Sequence, residues 1–280
     1  MTISKKRSPL RVAGLAIVWL IVAADIALLI WIFLTSLRDT KDIFARPFAL
    51  PTSAELGNYA NAWGEGGFGA AALSSVLLAV VSSIAAVAIS APAAYMLARR
   101  RTRTSNSITM LFAMGLGVPG QVLLVPLFVA MASVGLVDTY TGLNLIYIGL
   151  ALPFTVYLLT GFFAGVPLVL EEAAAIDGAS GVRAFVRVIL PVARGGLITA
   201  FLLHFIGSWN ETLFAIAFMQ SDDKVTLPVA LVNFVKMQQF NGLDWGTMFA
   251  GMCIILAPMV ALFAWMGSRI IQGMTVGIGK

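Results

Sequence analysis

Charge is what this sequence has least of. Of its 280 residues only 11% are charged and 60% are apolar, with a mean hydropathy of +0.94. A soluble domain carries about 25% charged residues, so the chain lacks the polar surface that an ordinary water-soluble globule needs. The same apolar excess excludes a disordered chain. Cysteine and histidine are almost absent too. Cys253 is the only cysteine and His204 the only histidine, which excludes a disulfide framework, a cysteine metal cluster and a multi-histidine metal site. What remains is an integral membrane protein, long enough for about six spans of roughly 20 residues. The net charge of +5 does not argue for nucleic acid, because the arginines adjoin apolar stretches.

Six long stretches contain neither lysine nor arginine. They run approximately from Val12 to Ser36, Ala71 to Ala98, Ser107 to Val134, Leu143 to Phe163, Gly196 to Phe218 and Thr247 to Gly267. Each is long enough to cross roughly 30 Å of hydrocarbon as a helix. The alternation of a barrel is missing and open strands leave backbone groups unpaired in lipid, so the spans are read as helices. Pro119 and Pro126 interrupt the third, beside Gly115, Gly117 and Gly120, and Pro92, Pro153 and Pro258 sit in others. Kinked helices around a path and ordinary close packing both fit this pattern.

Orientation is read from the 18 basic residues. Lys5, Lys6, Arg7 and Arg11 precede the first span; Arg99, Arg100, Arg101 and Arg103 follow the second; Arg183, Arg187 and Arg194 follow the fourth; Arg269 and Lys280 close the chain. These 13 lie on one side, against Arg38, Lys41, Arg46, Lys224 and Lys236 on the other. The positive-inside rule predicts cytoplasmic termini. Val22-Ala23-Ala24 loosely resembles a signal-peptide cleavage site, but the apolar run continues through Leu34, so an uncleaved first span is expected.

The segment between the fourth and fifth spans carries the most specific signal. A short helix is predicted from Pro167, a residue suited to the first helical position. Glu171 and Glu172 favour its positive end, and Gly178 is placed to close it in a left-handed cap. Val169, Ala173 and Ile176 form one small, apolar face. A second amphipathic stretch follows, capped by Ser180, with Val182, Phe185 and Ile189 on one side and Arg183 and Arg187 elsewhere; Pro191 ends it.

These residues resemble the EAA loop of permease subunits of bacterial ABC importers. The match runs through Glu172-Ala173-Ala174, then Gly178 after three residues, then Val188-Ile189-Leu190-Pro191 after nine more. The family often has isoleucine where Val188 stands. Gly135-Leu136, Tyr140-Thr141-Gly142-Leu143, Trp209-Asn210-Glu211 and Gln272-Gly273-Met274-Thr275 are similar to the carbohydrate-uptake branch, the maltose-type permeases. The resemblance covers nearly the whole chain.

It implies an all-α membrane protein of the type I importer fold: one permease domain over residues 1–280, six transmembrane helices and a cytoplasmic coupling loop at 164–195. It also implies an ATP-driven importer of a sugar, oligosaccharide or polyol derivative in the bacterial inner membrane. Glu171, Glu172, Ala173, Ala174, Asp177, Gly178 and Pro191 are then the residues expected to couple to an ATPase dimer. No Walker A pattern occurs here, the one Gly-Lys pair being the terminal Gly279-Lys280. ATP and magnesium are therefore expected on the partner ATPase and no cofactor on this chain. Other implied partners are a second homologous permease, membrane lipid and an extracytoplasmic sugar-binding protein, the last meeting the loops at Leu37–Ala70 and Gln220–Gly246.

Ionisable groups inside a span cost about 3 kcal/mol on insertion scales. Asp25 has no evident partner in the sequence. His204, Ser208 and Glu211 share one helical face, with Gly207 and Asn210 beside them, and form a candidate hydrophilic path. The alternatives are an interhelical hydrogen bond for His204 and an interfacial position for Glu211. Two other functions are weighed. Gly178-Ala179-Ser180-Gly181 with His204 is similar to the serine and histidine of rhomboid proteases, yet Ser180 falls in a basic loop. An ion-coupled secondary transporter has only Asp25 and Glu211 as embedded carboxylates and leaves the EAA-like loop unexplained.

Overall fold

The computed structural model describes residues 9–64, 66–100, 102–238, 242 and 244–276. Among them there is no strand. The helices in chain order are α1 (Pro9–Ser36), α2 (Thr40–Ala45), α3 (Gly57–Trp63), α4 (Phe68–Arg99), α5 (Arg103–Gly115), α6 (Leu124–Ser133) and α7 (Tyr140–Ala164). They continue with α8 (Val169–Ile176), α9 (Gly181–Ala184), α10 (Leu190–Val192), α11 (Arg194–Trp209), α12 (Leu213–Phe218), α13 (Leu227–Gln238) and α14 (Trp245–Val276). Lys5, Lys6, Arg7, Glu65, Arg101 and Lys280 lie outside the described residues. So do the side chains of Arg11, Arg269 and the Gln272–Thr275 tail.

Four predicted spans are single helices long and apolar enough to cross a membrane: α1, α4, α7 and α14. The third is broken, with α5 and the Gly120–Ser133 segment meeting at 88°. Pro119 has extended backbone (ψ 123°) and no N–H to donate, so the α5 ladder stops before it. Pro126 falls in the first turn of α6, where a missing donor costs nothing. Pro92, Pro153 and Pro258 lie inside continuous helices, so the sharp break belongs to Pro119 alone among these prolines.

The fifth stretch does not run unbroken to Phe218. α11 stops at Trp209 because two polar side chains serve the ends of a break. Asn210 Nδ2 donates to the Ile206 carbonyl (2.8 Å), and the Glu211 carboxylate accepts from the Phe214 and Ala215 N–H groups (2.8 and 3.0 Å), opening α12. On its other side α11 meets the Gly181–Val192 segment at 73°. The stretch from Gln220 to Gly246, read as a loop, contains the 12-residue helix α13, whose Leu227, Val229, Ala230 and Phe234 are buried.

The chain divides into two compact units, residues 1–68 with 231–256 and residues 69–230 with 257–280. In the first, Arg38 is buried and ties the turn that follows α1, donating to the Asp42 carboxylate and to the Asp42 and Arg46 carbonyls. Thr40 Oγ1 accepts from the Trp245 N–H, which opens α14. None of the apolar window of α1 is buried within the chain, and Asp25 lies on that exposed surface.

The second unit holds a core of Ala91 and Ala94 from α4, Val156, Leu159 and Phe163 from α7, and Ile189, Ala193 and Ala200 around α11. The approach of α7 to α11 is close: a Cβ on Gly196 would stand 2.5 Å from the Phe162 ring. The turn between α6 and α7 is latched to the segment after α12. Asp138, in the left-handed region at φ 57°, accepts from the Ser221 hydroxyl, from the Gln220 and Ser221 N–H groups (both 3.0 Å) and from Lys224 Nζ (3.1 Å).

Those donors, led by the Ser221 hydroxyl, hold the Asp138 carboxyl well below the usual carboxylate range. Unfolded aspartate titrates near 4 (about 3.9), so the folded state binds this proton less readily than the unfolded chain. The latch thus stabilises fully above roughly pH 4 and loses that contribution as pH falls further. In Asp138→Asn, the thermal midpoint at pH 7 is expected to drop, and its decline below pH 4 to be shallower than in the parent. Parallel acid-side slopes in a melting series would contradict the assignment.

Candidate functional site

Two places in the second unit gather the polar side chains that the sequence singles out. The first is the segment between α7 and α11. α8 begins at Val169, two residues later than predicted. Pro167 stands ahead of it, its carbonyl accepting from the Leu170 N–H (3.3 Å) while the Leu168 carbonyl accepts from Glu171 and Glu172. At the other end Gly178 has φ 75°. The Ala179 N–H reaches the Ala174 carbonyl (2.9 Å) and the Gly178 N–H the Ala175 carbonyl (3.0 Å), which satisfies two orphan acceptors in a Schellman close.

The second stretch departs from the predicted pattern. Ser180 Oγ caps α9 by accepting from the Arg183 N–H (3.4 Å). Ile189 is buried and Phe185 half-buried, but Val182 is 75% exposed. The cause is a π-helical turn at Phe185–Ile189, which slips the face by one residue and buries Ala184 with Ile189. The Leu190 N–H bonds to the Phe185 carbonyl. Pro191 lies within α10, and the bend comes at Ala193 instead.

α8 has two unlike faces. Inward, Ala174 is buried and Leu170 packs on the core. Glu171 is held from both sides: Tyr95 Oη donates to its Oε2 (2.9 Å) and Arg99 Nε to its Oε1. Arg99 also donates to the Phe163 carbonyl (2.8 Å) and the Val166 carbonyl (3.0 Å). One guanidinium therefore joins the last turn of α4, the last turn of α7 and the first turn of α8. The guanidinium lies 5.7 Å from the centre of the Tyr95 ring, and Tyr95, Phe163 and Phe185 pack against one another with ring centres 4.8–6.1 Å apart. Outward, Val169 is 62% and Ile176 87% exposed, with Glu172, Ala173 and Asp177 exposed beside them. Val169, Ala173 and Ile176 thus form an apolar strip that none of the described residues covers.

The second place is a cavity of about 180 Å³ between α7 and α11, lined by Tyr147, Leu150, Ala151, His204, Gly207, Ser208 and Glu211. Three of the four predicted path residues share it; Asn210 does not, its amide being spent on the Ile206 carbonyl. His204 Nε2 is buried without a hydrogen-bond partner among the described residues. Ser208 donates to the His204 carbonyl (2.9 Å). Glu211 is heavily committed, since Tyr147 Oη donates to it (2.8 Å) in addition to the two N–H groups of α12. Ser180 and His204, the pair similar to a rhomboid dyad, have separate tasks, the hydroxyl as a helix cap and the imidazole in this cavity.

Residues 87–276 match the family described as binding-protein-dependent transport system inner membrane component. The chain belongs to that family. It is 34% identical over 264 residues to the diacetylchitobiose uptake system permease protein of Streptomyces coelicolor, covering 94% of this chain and 86% of that one. The trehalose transport system permease protein of Mycobacterium tuberculosis is also 34% identical over 264 residues, at 93% and 94% coverage. In fold, this inner membrane component is similar to a chain in the crystal structure of a bacterial ABC transporter involved in the import of the acidic polysaccharide alginate. The TM-score is 0.81 at 19% identity, covering 96% of this chain and 99% of that chain.

Arg99, Tyr95 and Tyr147 escaped the sequence reading. Their partners lie 72, 76 and 64 residues away along the chain, and no spacing rule reaches so far. The only trace of Arg99 was its membership in a run of arginines.

The clasp makes a direct prediction. Glu171 and Arg99 side chains are only 21% and 12% exposed, and removing one partner of such a pair costs about 3–5 kcal/mol. In Arg99→Ala, amide exchange across residues 169–176 is expected to accelerate at least tenfold, with Arg99→Lys intermediate because an ammonium lacks the guanidinium fork. Unchanged exchange in Arg99→Ala would remove the clasp as the anchor of α8. For the cavity, Glu211→Ala strands three donors and is expected to lower the melting midpoint more than Tyr147→Phe, which removes one. The reverse order in a thermal melt would contradict the bonding described.

Proposed function

We propose that this chain is the permease subunit of an ATP-driven importer for a sugar or oligosaccharide and supplies half of the translocation path. The observation that carries the proposal is the double face of α8. Its outer strip of Val169, Ala173 and Ile176 is apolar and uncovered, while its inner side is fastened through Glu171 to the ends of two spanning helices. A partner that grips the outer strip moves Arg99, and with it the ends of α4 and α7. The partner is an ATPase dimer on the cytoplasmic side, which binds ATP and magnesium. Both termini lie on that side, in agreement with the distribution of basic residues. A second, homologous permease completes the path, and an extracytoplasmic binding protein delivers the solute.

The sugar class is supported by the diacetylchitobiose and trehalose systems among the relatives. Hydroxyl-rich solutes need donors and acceptors, and the cavity of Tyr147, His204, Ser208 and Glu211 provides them on the facing sides of α7 and α11. His204 is its best candidate for solute contact, because its Nε2 has no partner among the described residues, whereas Glu211 serves chiefly to open α12 and hold Tyr147.

Two substitutions test the coupling role without touching the inner face. Ile176→Asp places a charge on the exposed strip and leaves the core intact. Gly178→Val meets no neighbouring atom but strains a left-handed position by about 1–2 kcal/mol. In the assembled transporter, both are expected to insert normally and to lose most sugar uptake. Ile176→Asp is also expected to lose co-purification of the ATPase. Full uptake and full co-purification in Ile176→Asp would overturn the assignment of the docking face.

A further inference from the structure

Arg99 and Arg100 are neighbours with opposite fates. Arg99 is consumed by one carboxylate and two carbonyls. Arg100 is exposed, and its side chain makes no hydrogen bond or ion pair among the described residues, only its backbone N–H being bonded, to the Met96 carbonyl. Its side chain lines a cleft of about 520 Å³ between the end of α4 and the start of α5, next to Thr102, Thr104 and Ser105. Among the described residues, no carboxylate lines this cleft. At its rim the Arg100 cation, the exposed Thr102 and Thr104 and the more buried Ser105 form, among the described residues, a donor set suited to a phosphate.

Below the rim the character changes. Met96 and Ala93 lie one and two turns before Arg100 on α4, and Ile108 and Phe112 one and two turns after Thr104 on α5. Both walls therefore run about 10 Å away from the charged end at helical rise, into the apolar spans. A soluble anion has no use for such a wall. A ligand with an anionic head and an alkyl tail matches both parts, and the surface beyond continues apolar, with Leu111 64% and Met114 55% exposed.

We propose that this cleft binds an anionic phospholipid, its phosphate at Arg100 and the adjoining hydroxyls and the upper part of an acyl chain along Met96, Ile108 and Phe112. The volume accommodates the phosphate, the glycerol and the first methylenes, while the rest of the lipid lies in the bilayer. The bound lipid fills the angle between two spans just beside the Arg99 clasp and braces the end of α4. This inference goes beyond the transport reading and does not depend on which solute is carried.

The test uses the purified full-length chain in detergent, with retained lipid counted by native mass spectrometry. Phosphatidylglycerol, phosphatidylcholine and water-soluble glycerol phosphate serve as probes. The expected result is at least tenfold preferential retention of phosphatidylglycerol over phosphatidylcholine, with no binding of glycerol phosphate. Arg100→Gln is expected to abolish the preference. Ile108→Trp, which fills the apolar wall and keeps the charge, is expected to abolish retention altogether. Equal retention by wild type and Arg100→Gln overturns the proposal, as does glycerol phosphate binding as tightly as the lipid. If Arg100→Gln instead lowers ATPase co-purification with lipid retention unchanged, the cleft is a protein contact and the proposal also fails.

Discussion

A single guanidinium holds together the part of this permease that faces its proposed motor. Arg99 donates to the Phe163 carbonyl in the last turn of α7 and to the Val166 carbonyl just beyond it, neutralises a carboxylate at the start of α8 and belongs to the last turn of α4. Carbonyls near a helix end and a lone carboxylate are each costly to leave short of donors when shielded from water. One planar fork meets all three requirements together, which an ammonium cannot do. Tyr95, which the guanidinium faces, is itself packed against Phe163 and Phe185, so the junction is tied into an aromatic cluster. α8 is therefore not a tethered flap but a short rod fastened at its base.

The same accounting explains the irregular helices. A break inside a span is tolerated only where side chains take over the backbone's hydrogen bonds. At the end of α11 Glu211 takes over for the N–H groups ahead of the break, while Asn210 adds its amide to its own N–H on the Ile206 carbonyl behind it. At Phe185–Ile189 the wider turn lets Leu190 donate to Phe185 just before Pro191, which has no donor to offer. Each irregularity is placed where a polar or donor-free residue makes it the cheaper conformation.

Much of the architecture was legible because it depends on local or periodic signals. Spans follow from apolar length, the helix stop at Gly178 from its freedom to adopt positive φ, and the cap at Ser180 from its hydroxyl. The breaks were less visible. Pro119 among its glycines announced one, but the end of α11 at Trp209 was hidden in an apolar run that continues through Phe218. Glu211 illustrates the reason: a carboxylate in a span reads as a solute ligand, yet here it opens a helix. The site was half legible. The outer strip of α8 came from a three-residue spacing, while the residues that hold α8 in place came from segments more than 60 positions away. Nothing in an arginine run distinguishes Arg99, which is fully bonded, from Arg100, which is not.

The first helix bears on how the chain is made. With none of its apolar window buried against its own chain, that stretch of α1 needs no later segment and can partition into lipid as soon as it leaves the ribosome, only the last turns waiting for Asn58, Tyr59 and Phe249. α11 is different, because the carboxylate just past its end finds its hydroxyl donor on α7, synthesised 64 residues earlier. The carboxylate of that pair thus emerges when its hydroxyl mate is already in place. Biogenesis proceeds from an autonomous anchor to mutually dependent spans, and the exposed flank of α1 stays open for whatever neighbour the bilayer supplies.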